Sequence, residues 1–136
     1  ALAAPGRAQV TFAESAAEGV TIVDAVTGVG TSFSLVGSVG GSLTVQDGHV
    51  VTSPGAGLAS LYAVSARGVE DFVLLEQPAP SGALRYRVQP IGTRALRQVG
   101  ATLELLDAFG SPRVRVQPPY VIDAHGARHA ADLAVG

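Results

Sequence analysis

The sequence contains no cysteine, methionine or tryptophan, and neither lysine nor asparagine. Without cysteine there is no disulfide framework and no thiolate metal site, so the fold must be held by packing. Without lysine there is no Schiff-base nucleophile, and the Lys–Asn isopeptide crosslink of some bacterial surface domains lacks both partners. The missing asparagine removes any N-glycosylation acceptor. All nine basic residues are arginine, and the accompanying richness in alanine, glycine and valine fits a GC-rich coding sequence.

Charge is scarce as well. Charged residues make up 15% of the chain and the formal net charge is -2, too little for the one-sided basic field that recruits nucleic acid or anionic lipid. Aromatics are 5%, so stacking platforms are few. No apolar run approaches the ~20 residues that a bilayer span needs, because glycine, serine or a charge interrupts each one.

What remains is 47% hydrophobic residues in 136, ample for one core. These residues alternate. Leu84, Tyr86 and Val88 alternate with Arg85, Arg87 and Gln89; Leu103 and Leu105 with Thr102 and Glu104; Val114 and Val116 with Arg113, Arg115 and Gln117. A period of two puts apolar side chains on one face of a strand and polar ones on the other, which predicts antiparallel sheet with one wet face. Val20–Val23, Ser32–Val36 and Ala59–Val64 add strands to a first half punctuated by Gly28, Gly30, Gly37, Gly40 and Gly41.

Turn signals divide these strands. Asp47-Gly48 between two β-prone runs predicts a type I′ hairpin with Val45 facing Val50. Pro78–Gly82, Asp107–Gly110 and Asp123–Gly126 mark further turns. The one helical stretch, Ser15 to Glu18, reads as a loop turn. Ala1-Leu2-Ala3 has the small-x-small pattern that precedes a signal-peptidase cut, and Ala4-Pro5-Gly6 reads as extended chain.

Chemistry-bearing groups are dispersed. Asp123, His125 and His129 contain metal-ligand types, but that spacing gathers ligands on a helix, and Gly126 predicts a solvated turn instead. No Gly-x-Ser-x-Gly elbow organises a serine, a histidine and an aspartate into a hydrolase triad. Glu70 and Asp71 are adjacent, so on a strand they point to opposite faces and cannot share a proton. The glycines at 28–30 and 37–41 fit bulges and turns, since no helix follows to add its dipole to a phosphate site. The group with most promise is Arg85, Arg87, Arg113 and Arg115: were their strands paired, four guanidiniums would line one face and could grip carboxylates or sulfates. Against this stands a solvated face on which Glu104 is a cross-strand partner, worth about 0.2–1 kcal/mol.

From Gly68 onward the residues resemble a module of secreted bacterial proteins, found in wall-associated and RHS-type repeat proteins and beside DNRLRE-type domains. The similarity lies in Gly68-Val69-Glu70-Asp71-Phe72-Val73-Leu74-Leu75, in Leu103-Glu104-Leu105-Leu106-Asp107-Ala108-Phe109-Gly110, and in the stretch from Val114 to Gly126 that contains Pro118-Pro119-Tyr120 and Asp123-Ala124-His125-Gly126. Gly110 and Gly126 read as turn closers, Pro118 and Pro119 as strand terminators and Tyr120 as a core filler. The resemblance implies an exported β-sandwich of a larger surface protein and carries over no catalytic residue.

The expectation is therefore an all-β, antiparallel β-sandwich, jelly-roll or Ig-like, with little or no helix. Residues 1–7 form an extended lead-in and 8–136 a single sandwich domain. Its expected role is a non-catalytic structural or adhesion module of a secreted or cell-surface bacterial protein, contacting neighbouring domains or other surface proteins, with no cofactor, no metal, no nucleic acid and no membrane span. The alternative is a carbohydrate-binding module that takes acidic or cell-surface glycans on Arg85, Arg87, Arg113 and Arg115.

Overall fold

Asp47 (φ 50°) and Gly48 (φ 78°) both take left-handed backbone, and the strands they join pair with Val45 opposite Val50. This is the hairpin that Asp-Gly predicts. The computed structural model describes residues 2–3, 7–38, 40–55, 57–78 and 82–136, with the backbone alone at 2–3 and 54. The expected lead-in at Ala4–Gly6 and the centre of the Pro78–Gly82 turn lie outside the described residues, as does Val39.

Every strand pairing is antiparallel, and no α-helix occurs among the described residues. With strands labelled in chain order, one sheet runs β10 (Ala95–Val99), β11 (Thr102–Leu106), β12 (Pro112–Val116), β1 (Leu2–Ala3), β8 (Gly68–Leu75), β7 (Leu58–Ser65), β6 (His49–Gly55), β5 (Thr44–Gln46). A second runs β2 (Ala8–Phe12), β3 (Val20–Asp24), β4 (Gly30–Leu35), β9 (Tyr86–Ile91). Strands β13 (Tyr120–Ile122) and β14 (Arg128–Ala130) form a separate hairpin. Ser15 caps a single 3₁₀ turn over Ala16–Glu18, its Oγ accepting from the Ala17 N–H at 3.3 Å. Leu2–Ala3, within the extended lead-in, is hydrogen-bonded on both sides: it lies opposite Val116 and Arg115 on β12, and Val69 and Gly68 on β8.

The two larger sheets share apolar clusters. Ile22 of β3 packs with Leu103 and Leu105 of β11 and Val114 of β12; Val20 and Phe33 pack with Tyr62 of β7 and Val69 of β8. Ile22, Leu105 and Val114 are completely buried. The alternation read at 102–105 and 113–116 thus has its apolar members inside. Leu133, in the irregular C-terminal segment, packs on the first cluster, and its carbonyl accepts from Gln98 Nε2 at 3.0 Å.

Two local expectations give way. The strand read at 84–89 starts at Tyr86 and forms the edge of the four-stranded sheet with only β4 beside it, so its inward-turned Tyr86 and Val88 stay 37% exposed. Tyr120 is half-exposed rather than a core filler: its hydroxyl donates to Glu70 Oε1 at 2.6 Å, and Arg128 stacks 3.7 Å from its ring centroid. Arg128 sits over Tyr120 because β13 and β14 pair two residues away, Ile122 opposite Arg128.

Candidate functional site

The four arginines do not converge. Arg87 lies on β9 opposite Ser34, and Arg85 just precedes that strand, whereas Arg113 and Arg115 lie on β12 in the other sheet. Both pairs alternate with inward apolar residues, so they point out from opposite sheets. The condition that would have gathered four guanidiniums, pairing of the two strands, is not met.

Arg113 and Arg115 also have acidic partners. Arg97 (β10), Glu104 (β11) and Arg115 (β12) lie opposite one another, and Glu104 accepts from Arg97 Nη2 on Oε1 and from Arg115 Nε on Oε2, both at 2.8 Å. Glu104 is only 7% exposed beneath the two guanidiniums, so its charge is shared between them. Hydrogen bonds from Arg115 and then Arg97 hold its carboxyl below the usual carboxylate range. Arg113 Nε likewise donates to Asp107 Oδ2 at 2.8 Å, and that bond lowers the Asp107 pKa. An external carboxylate or sulfate at these arginines would have to displace an internal one.

The Asp123 turn repeats the Asp107 turn. Each aspartate's Oδ1 accepts two backbone N–H groups, from Phe109 and Ser111 in one and from His125 and Ala127 in the other. Asp123 Oδ2 accepts from His129 Nε2 at 2.8 Å, the main cause of its lowered pKa. His125 contributes its backbone N–H to this turn. Among the described residues, no three histidine or carboxylate groups come together to hold a metal ion.

A further polar arrangement lies between the two larger sheets and joins residues that the sequence did not connect. Glu70 and Asp71 do point to opposite faces. Asp71 turns inward, opposite Tyr62 of β7, and its Oδ2 accepts a 2.8 Å hydrogen bond from Tyr86 of β9. Phe12 packs edge-on against Tyr62 at 5.4 Å between ring centroids, and Phe33 lies 6.3 Å from the Tyr86 ring. Burial raises the Asp71 pKa, and the Tyr86 hydrogen bond opposes only part of that rise. Tyr62 is pushed up to about 12, by burial first and then by the Asp71 charge. Tyr86 moves up for the same two reasons. Asp71 Oδ1 is buried with no hydrogen-bond partner among the described residues. Both phenols stay protonated at neutral pH, so Tyr86 can donate to the Asp71 carboxylate.

The outward face of β6, β7 and β8 carries an apolar row beyond Glu70. Val51, Leu61 and Phe72 lie opposite one another across three strands, and Ala59 lies opposite Leu74. Phe72 is 37% exposed and Leu74 is 67% exposed. The sequence signal for this face was the unbroken run Phe72-Val73-Leu74-Leu75, which has no polar alternate.

No protein family, curated protein or solved structure matches the chain.

Proposed function

We propose that the chain is a non-catalytic β-sandwich module of a larger secreted or cell-surface bacterial protein, and that it holds neighbouring domains or surface proteins through the outward face of β6–β8. In this reading the eight-stranded and four-stranded sheets are the two layers, as their shared apolar clusters favour. The observation that carries the role is the Val51–Leu61–Phe72 row with Leu74 beside it. An apolar sheet face left open to water marks a contact surface rather than a solvated wall. The acids and arginines supply the complementary argument: Glu104 with Arg97 and Arg115, and Asp107 with Arg113, are spent on locking strands and turns together. The similarity of residues 68–75, 103–110 and 114–126 to the exported surface module points the same way.

An antibody raised against the chain tests this. In extracts of the source cells it should detect a species much heavier than the 13.7 kDa of the chain, in the surface or culture-supernatant fraction. A 13.7 kDa species in the cytosol would overturn the reading.

A further inference from the structure

Four connections gather at one end of the two larger sheets. In the β3–β4 turn the Ala25 N–H donates to the Arg7 carbonyl at 2.8 Å, and the Ala8 N–H donates to the Ala66 carbonyl in the β7–β8 turn at 3.0 Å. The β9–β10 connection joins them, because Thr93 Oγ1 donates to the Gly30 carbonyl at 3.2 Å. Its Arg94 N–H donates in turn to the Leu106 carbonyl at 3.0 Å, beside the β11–β12 turn. Residues 25–28, 66–67, 92–94 and 107–111 therefore share this end.

Two of these turns hold an apolar side chain out in water. Val26 is 82% exposed and Phe109 93%, the most exposed large apolar side chains among the described residues. Neither tip can fold away. Asp24 Oδ2 accepts from the Thr27 N–H at 3.1 Å and from Thr27 Oγ1 at 2.6 Å, and Asp107 Oδ1 accepts from the Phe109 and Ser111 N–H groups. The turn itself does not ask for an apolar tip: the Asp123 turn has the same Asp-Ala-x-Gly pattern and the same bonds, and carries an exposed His125 where the Asp107 turn carries Phe109. One exposed apolar residue is ordinary, but two held rigidly at one end mark a contact. Charge is segregated here as well. Arg7, Arg67 and Arg94 are exposed and form no salt bridge among the described residues. Two acids of this end, Asp24 and Asp107, are buried, the second against Arg113. Asp47 is exposed, but its turn lies at the far edge of the eight-stranded sheet. The net charge of -2 over the whole chain conceals this local excess of cations.

We propose that this end of the molecule docks on an anionic lipid surface, with Val26 and Phe109 entering the boundary between headgroups and acyl chains and Arg7, Arg67 and Arg94 lying against the lipid phosphates. Apolar side chains beside cations are the combination that binds a bilayer interface without crossing it. Shape favours lipid over a folded partner: separate tips on separate turns would each need their own pocket in a protein, whereas the headgroup layer yields to both. A second copy of the chain is disfavoured, because end-to-end contact would bring six arginines together. Arginine suits the position, since its stem can lie along apolar surface while the guanidinium forks onto a phosphate. The docking end is distinct from the outward face of β6–β8, so each contact stands or falls without the other.

The test uses vesicles of equal parts phosphatidylglycerol and phosphatidylcholine. The unaltered protein should co-sediment with them and be released by high salt. Arg7→Gln, Arg67→Gln and Arg94→Gln should each weaken that binding about fivefold, and Val26→Ser combined with Phe109→Ser should abolish it. Because the chain has no tryptophan, Phe109→Trp adds a single reporter at the tip. Its emission should move to shorter wavelength and its quenching by acrylamide should fall as lipid is added. Val36→Trp, exposed just past the far end of β4, should not respond. Failure of the unaltered protein to co-sediment would overturn the site. An equal response of Val36→Trp and Phe109→Trp would overturn the docking geometry, and equal binding to pure phosphatidylcholine vesicles would overturn the part given to the arginines.

Discussion

Tyr86 on β9 donates a 2.8 Å hydrogen bond to Asp71 on β8, so a side-chain contact joins the four-stranded sheet to the eight-stranded sheet. Tyr86→Phe removes the donor and leaves the Asp71 carboxylate without its one described hydrogen-bond partner. Stability should fall by about 1–3 kcal/mol in urea titration at neutral pH, the cost of a buried acceptor left unpaired.

Asp71→Asn should have the opposite sign. Burial raises the folded-state pKa of Asp71 above its ordinary 3.8, so its contribution is complete below 3.8 and is lost as pH rises through the folded value. At pH 7 the ionised carboxylate is a cost, while an asparagine oxygen still accepts from Tyr86. The Tm of the Asn variant should exceed that of the parent at neutral pH, and the gain should vanish in acid.

Glu104 runs the other way. Its carboxyl is held below the ordinary 4.5 by Arg115 and Arg97, so its stabilisation is present above 4.5 and disappears as pH falls through the depressed folded value. Glu104→Gln should therefore flatten the acid limb of a stability-against-pH curve and lower the plateau near neutrality. Thermal melts at a series of pH values measure both effects.

Two packing changes separate core from backbone. Leu105→Ala empties a completely buried position between the sheets and should cost about 2–5 kcal/mol. Gly30→Ala should also destabilise, although alanine in a strand is ordinarily better than glycine by about 0.5–1 kcal/mol. Here an added Cβ would overlap the Ile22 carbonyl oxygen on the adjacent strand, and backbone cannot move aside cheaply. Equilibrium unfolding of both variants checks the order and the signs.

The legible parts of this fold are those set by local chemistry. The Asp47-Gly48 hairpin, the Asp-x-x-Gly turns ending at Gly110 and Gly126, and the inward faces at Leu103, Leu105 and Val114 follow from residues close in sequence. Partner choice does not. A period of two tells which face of the strand at 86–91 turns inward, but not that it pairs with Gly30–Leu35 instead of the arginine strand at 112–116. For that reason the four arginines looked like one surface and fall on two. The sequence also places Glu70 and Asp71 on opposite faces, yet their partners, Tyr120 and Tyr86, lie 50 and 15 residues away, and local pattern reads the first as an amphipathic core filler and the second as the apolar side of a strand. A tyrosine at an inward position near a lone inward acid was the available signal.

The claim that the outward face of β6–β8 is a contact surface is tested most directly by hydroxyl-radical footprinting of the intact source protein beside the isolated chain. Phe109, 93% exposed at the tip of the Asp107 turn, serves as the internal reference for Phe72. The account predicts that Phe72 and Leu74 are oxidised several-fold more slowly in the intact protein while Phe109 is unchanged. Equal oxidation of Phe72 and Leu74 in the two samples would contradict it.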